Sequence, residues 1–174
     1  MQTCDLFMSR RIFDSYFLPT FCVLVLILSL VPFSVNAVSN NSKVYIREDG
    51  TVEGTTSIQQ VGNNYIFTGN VTAALYIDKP GVTVDGAGFT LTGGNRGVVM
   101  GQDVTLKNLR IELEGGYVLD LSDALNCTIE NNTIVGTPKL IPDLPPGPLL
   151  GPIAINFLHS QNITLRNNTI INFS

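Results

Sequence analysis
The sequence predicts an all-β chain, a parallel β-helix, on three observations. Four segments repeat: VTVDGAGFTL from Val82, VTLKNLRIEL from Val104, CTIENNTIVG from Cys127 and ITLRNNTIIN from Ile163, with starts 22, 23 and 36 residues apart. No stretch of the repeat carries helical apolar spacing, so a period of this length describes a coil of short strands. Sixteen Gly, and fifteen Asn between residues 38 and 174, supply residues suited to tight corners. Leucine-rich repeats share the period, but their Leu-x-x-Leu-x-Leu spacing is missing.

At 174 residues the chain suits one domain. Its net charge is −4 and only 14% of its residues are charged, which excludes a basic nucleic-acid arm and a disordered acidic tail. Residues 1–37 read as an address. No charge lies between Asp14 and Lys43, and residues 21–31 form an apolar core broken only by Ser29. That core is short of the ~20 residues of a spanning helix and suits a signal peptide, with Arg10 and Arg11 as its positive flank. Val35-Asn36-Ala37 offers the cleavage site. The expected destination is secreted or cell-surface; the alternative is an uncleaved membrane anchor. Cleavage removes Cys4 and Cys22 and leaves Cys127 without an internal disulfide partner.

Residues 38–80 read as an N-terminal β cap and first coil. Residues 44–47 and 51–53 flank the turn Glu48-Asp49-Gly50, and residues 58–61 and 65–68 flank Gly62-Asn63-Asn64, giving two hairpins. Residues 81–174 hold the repeats, with a Pro-rich insertion at 137–152 that contains six of the nine prolines and reads as an excursion loop.

Stacking the repeats yields columns. Val82, Val104, Cys127 and Ile163, and then Val84, Leu106, Ile129 and Leu165, alternate with polar residues and are expected to face inward. Thr83, Thr105, Thr128 and Thr164 lie between them and face out. The next outward column, Asp85, Lys107, Glu130 and Arg166, alternates in sign. A turn column of Gly86, Asn108, Asn131 and Asn167 follows, with its amides expected inward. Phe89, Ile111, Ile134 and Ile170 are expected to open the next inward face. A third strand is expected around residues 98–99, 118–121 and 153–157.

The Asn-[Ile/Val]-Thr-[Leu/Ile]-x-Asn-Asn-x-Ile pattern of residues 162–170, kept in residues 126–134 but for Cys127 at its second position, resembles the right-handed parallel β-helix repeats of the pectin-lyase-like superfamily. It is closest to the NosD-type, carbohydrate-binding and sugar-hydrolysis repeats. The opening VYIREDGTVEGT, residues 44–55, is similar to the start of secreted archaeal members. The resemblance covers residues 44–174 and implies a fold that hosts lyases, hydrolases, epimerases, adhesins and plain surface proteins.

Similar polysaccharide hydrolases carry Asp clusters with Gly-His-Gly and Arg-x-Lys, which are missing here; the one His, His159, has no glycine beside it. Glu112 with Glu114, and Asp120 with Asp123, are the acid pairs that acid–base work or Ca²⁺ would need, against the plainer reading of solvated surface. NosD is tied to copper-site maturation, but Met100, Cys127 and His159 are the only soft or imidazole ligands after residue 37. No catalytic residue, metal or cofactor is therefore expected. The leading expectation is a non-enzymatic surface module whose Thr and charge columns bind polysaccharide or cell-envelope glycan, with no nucleic-acid partner. The alternative is a lyase or hydrolase of acidic polysaccharide whose catalytic residues lie in coils beyond these. Of seven Asn-x-Ser/Thr sequons, Asn40 and Asn70 are the expected glycan acceptors. Ile163, Leu165, Ile170, Ile171 and Phe173 are expected on an open last coil, which implies further coils or end-to-end association.

Overall fold
Short β-branched strands separated by Asn and Gly corners cannot bury their apolar sides alone, and stacking solves this. The computed structural model describes residues 42–138 and 151–173. The leader, its cleavage site, Asn40 and the centre of the Pro-rich insertion lie outside the described residues. Those described are all-β, and their mainly parallel sheets are compatible with a β-solenoid.

Three sheets run through the stack. The first comprises β1 (Lys43–Ile46), β2 (Val52–Glu53), β6 (Ala74–Ile77), β9 (Arg96–Met100), β12 (Tyr117–Asp120) and β15 (Ile153–Asn156), in the order β15-β12-β9-β6-β1-β2. The second comprises β3 (Ile58–Val61), β4 (Asn64–Phe67), β7 (Thr83–Asp85), β10 (Thr105–Lys107), β13 (Thr128–Glu130) and β16 (Thr164–Arg166), in the order β16-β13-β10-β7-β4-β3. The third comprises β5 (Val71–Thr72), β8 (Thr90–Thr92), β11 (Arg110–Glu114), β14 (Thr133–Thr137) and β17 (Thr169–Ile171), in the order β17-β14-β11-β8-β5. The chain visits second, third and first sheet in turn, and every pairing is parallel except β1–β2 and β3–β4.

Those two exceptions are the expected hairpins. Val61 faces Asn64 directly, so the second loop is two residues, Gly62-Asn63, with Gly62 at φ 63° as a tight hairpin turn requires. The Tyr65 hydroxyl, buried, donates to the Gly50 carbonyl at 2.9 Å and ties the first hairpin's turn to the second sheet. Tyr45 stacks on Tyr76, with ring centroids 5.1 Å apart, and the Arg47 guanidinium covers Tyr45 at 3.9 Å. A coil precedes the four repeated segments. β4, β5 and β6 already form a parallel coil, but Tyr65, Phe67 and Ala73 do not match the later copies.

The core follows the predicted columns. Val82, Val104 and Cys127, and Val84, Leu106 and Ile129, are buried, while Thr83, Thr105 and Thr128 stay partly exposed. Each fully buried Val, Leu or Ile contributes roughly 1.5–3 kcal/mol over its exposed state. In the last coil Leu165, Ile170 and Ile171 are exposed, as is Ile153, whereas Ile163 and Phe173 pack partly against the core. A Cβ on Gly136 would stand 2.4 Å from the Phe173 ring and 2.5 Å from Pro152, so both cover that glycine closely.

Two predicted columns need correction. Leu91, not Phe89, pairs with Ile111, because Asp85 and Thr90 are separated by two more residues than Lys107 and Arg110. Phe89 stands instead over Leu109, and its carbonyl accepts from the Arg110 N–H. Likewise the left-handed corner of that coil is Ala87 at φ 49°, not Gly86. Gly86 is buried, and a Cβ there would meet the Leu109 backbone at 2.5 Å.

The inward amides are also one residue further on. Asn131 and Asn167 sit at φ 56° and 54° with exposed side chains; Asn132 and Asn168 turn in. Asn132 Oδ1 accepts the Leu109 N–H at 3.0 Å, and its Nδ2 donates to the Leu106 carbonyl at 3.0 Å. Asn168 repeats the pattern one coil on, accepting from Asn132 N at 2.9 Å and donating to the Ile129 carbonyl at 2.7 Å. The amide spans the corner where consecutive strands stop pairing, and it supplies the missing ladder partners.

Replacing Asn132 by Ala strands a buried donor and a buried acceptor, each worth about 1–3 kcal/mol. Asn131→Ala loses only left-handed tolerance, about 1–2 kcal/mol. Thermal melts of the two variants are expected to show the clearly larger loss at Asn132; equal losses would contradict the ladder.

Candidate functional site
The outward side of the second sheet brings together every residue the sequence singles out for binding. Thr83, Thr105, Thr128 and Thr164 pair directly, as do Asp85, Lys107, Glu130 and Arg166. Neighbouring rows are about 4.8 Å apart, so the threonines form a ladder of hydroxyls. Asn64 extends it at one end, facing Thr83.

Left-handed corners border the face on both sides. On the entry side stand Gly81, Asp103, Asn126 and Asn162, all at positive φ. Asn162 Nδ2 donates to Asn126 Oδ1 at 3.0 Å, and Asn126 Nδ2 donates to Asp103 Oδ1 at 3.0 Å. On the exit side Asn108, Asn131 and Asn167 occupy the same conformation. Among the described residues, six of the ten non-glycine residues with positive φ are asparagines, a side chain that tolerates this region well. At Asn126 and Asn162 the sequon Asn-x-Thr is thus a row of this architecture: Asn at the entry corner, an inward apolar residue, Thr on the face.

The charge column resolves into two pairs rather than one continuous ladder. Lys107 Nζ lies 3.4 Å from Asp85, and Arg166 binds Glu130. Among the described residues no ion pair joins Lys107 to Glu130. Burial raises the Asp85 pKa, but hydrogen bonds from Asn108 Nδ2 and the Ala87 N–H, with the Lys107 charge, outweigh it and hold the carboxyl below its ordinary value. The face is therefore close to neutral and rich in hydroxyls and amides, a surface for hydrogen bonding rather than for holding a polyanion.

The acid pairs considered for catalysis are otherwise engaged. Arg110 binds Glu112, while Glu114 stands exposed at the strand end. Asp120 is buried; its Oδ1 accepts from the Ser122 N–H and hydroxyl and from Asn156 Nδ2, and Arg96 binds its other oxygen. Burial opposes ionisation there, but those donors and the Arg96 charge prevail and lower its pKa. Asp123 does not share that environment: it is exposed, 3.5 Å from His159 Nδ1, with both residues at left-handed corners.

Among the described residues, no three His, Cys, Asp or Glu side chains converge as a metal site would require. The Cys127 thiol is buried, which raises its pKa, and it donates to the Gly101 carbonyl at 3.2 Å. Asn70 is exposed at the third sheet, its Oδ1 accepting the Thr90 N–H at 2.9 Å. An open groove of about 680 Å³ lies elsewhere, between the first hairpin and the corners after β6 and β9, lined by Glu48, Ile77, Asp78, Pro80, Val99 and Met100. It includes none of the residues predicted for binding, though Met100, weighed above as a soft ligand, lies on its wall.

Sequence reasoning missed the Asn132–Asn168 ladder. Its signal is the Asn-Asn doublet in two successive copies, of which the second member, not the first, turns inward. No family model, curated protein or solved structure matches this chain.

Two outcomes are expected. Lys107→Glu places a third acid between Asp85 and Glu130 and is expected to lower the melting temperature by the equivalent of about 1 kcal/mol or less, and by less still in molar salt. A loss independent of salt contradicts the pairing. Asp120 is ionised more readily folded than unfolded, so its contribution is full above its unfolded pKa of about 3.9 and disappears as pH falls through the lower folded value. Denaturant titrations are expected to show stability falling below about pH 4, with a shallower decline in Asp120→Asn.

Proposed function
We propose that this chain is an exported surface module, a right-handed parallel β-helix of the pectin-lyase-like, NosD-type class, that lays the second sheet's face along a neutral glycan. The observation that carries this reading is the register of Thr83, Thr105, Thr128 and Thr164 between two corners rich in asparagine. Hydroxyls and amides repeating at the strand spacing match a polymer whose own hydroxyls repeat. The pairing of Lys107 with Asp85 and of Arg166 with Glu130 supports a neutral ligand over an acidic one.

A glycan array of neutral and acidic polysaccharides, followed by calorimetry on the hits, tests the reading. Thr105→Val and Thr128→Val keep the branched shape that strands favour and remove only the hydroxyl. Each hydrogen bond contributes about 0.5–1.5 kcal/mol, so each variant is expected to weaken binding roughly two- to tenfold. Unchanged affinity in the double variant removes the face from the account. Release of unsaturated product from polyuronate in the presence of calcium would instead establish a lyase.

A further inference from the structure
We infer that Asn131 and Asn167 are N-glycan acceptors, an inference that rests on the export reading above. Five sequons lie wholly within the described residues, at Asn70, Asn126, Asn131, Asn162 and Asn167, and the fold sorts them by what each amide is doing. At Asn126 and Asn162 the Nδ2, the atom that would carry the sugar, is already a donor at 3.0 Å in the entry-corner ladder. A sugar on either nitrogen takes one of its two N–H groups and sets a bulky substituent on an amide held against the neighbouring corner. At Asn70 the Oδ1 accepts the Thr90 N–H at 2.9 Å, which fixes the side chain against the third sheet, although its Nδ2 takes no part in that bond.

Asn131 and Asn167 differ from all three. Their side chains are exposed and, among the described residues, have no hydrogen-bond partner. Their freedom has a structural cause: Asn132 and Asn168 take over the inward amide role, leaving the first member of each doublet only its backbone task at φ 56° and 54°. The sequon hydroxyls, Thr133 and Thr169, begin β14 and β17, so transfer must precede pairing of those strands.

The donor is a polyprenyl-pyrophosphate-linked oligosaccharide, used by a membrane oligosaccharyltransferase. The asparagine Nδ2 attacks C1 of the reducing sugar and loses one proton. The N–C1 bond forms, the C1–O bond to pyrophosphate breaks, and lipid pyrophosphate leaves. Chains modified at Asn131 or Asn167 then fold with every described side-chain hydrogen bond intact, whereas modification at Asn126 or Asn162 crowds a corner bond.

The full chain, expressed in a host whose secretory pathway N-glycosylates, decides the matter by glycopeptide mapping of the folded, exported fraction. Occupancy is expected at Asn131 and Asn167 and not at Asn126 or Asn162. Thr133→Val and Thr169→Val, which abolish the sequons without touching the corner asparagines, are each expected to remove one oligosaccharide's mass. Bare Asn131 and Asn167, or a folded exported chain carrying glycan on Asn126 or Asn162, overturns the inference. Retention inside the cell counts against the export reading instead. Placing a foreign leader ahead of the full chain then carries it through the same pathway, and the occupancy pattern at these four asparagines supports or overturns the acceptors in the same way.

Discussion
From β10 to β11, β13 to β14 and β16 to β17 the chain leaves the second sheet and enters the third within two residues, and backbone groups at such corners lose their ladder partners. The left-handed asparagine meets that constraint. A residue at positive φ turns the chain sharply, and asparagine does so with less strain than other side chains while its amide can replace a missing backbone bond. Asn132 and Asn168 do the replacing, reaching Leu109 and Leu106 in one coil and Asn132 and Ile129 in the next. Asn126 and Asn162 hold the opposite corner by bonding along the stack. Register in the sheets between them follows, because both ends of each short strand are pinned.

With the corners pinned, three-residue strands suffice. β7, β10, β13 and β16 each place one apolar residue inward and two polar residues outward. A slip of one residue would exchange these sides and expose Val84, Leu106 and Ile129. The charges on the outer side discriminate further, since Asp85 meets Lys107 and Glu130 meets Arg166 in one register only. Exposed pairs of this kind add little stability. Their effect is to select the alignment and to leave the face nearly neutral.

The repeat, the inward columns of the second sheet, both hairpins and the approximate third strand were legible because apolar residues alternate there with period two at a constant interval. The Phe89 column was not. Gly86-Ala87-Gly88 absorbs two residues in a widened corner, and sequence spacing alone treats those residues as strand. The coil of β4, β5 and β6 lies within the cap and first coil expected over residues 38–80, but it carries no copy of the repeat, since Tyr65 and Phe67 fill the end of the core with larger side chains. The candidate face was legible residue by residue, but its division into two ion pairs was not. That division depends on which side of Lys107 its flexible stem leans toward.

By itself the sequence determined the class of structure, the interval of the stack and which side chains share a column, because alternation and periodicity are properties of the chain taken one residue at a time. Tertiary structure decided which asparagine of each doublet turns in and which carboxylates are already satisfied. Asn131 and Asn132 are identical in composition and adjacent in sequence. They part company only because one occupies the left-handed corner and the other faces the unpaired Leu109 N–H of the coil beneath. Asp120 and Asp123 separate in the same manner: Ser122, Asn156 and Arg96 converge on Asp120 from three different strands or corners, while Asp123 is left in solvent beside His159. Hydrogen-bond satisfaction is a property of neighbours in space, and only folding brings those neighbours together.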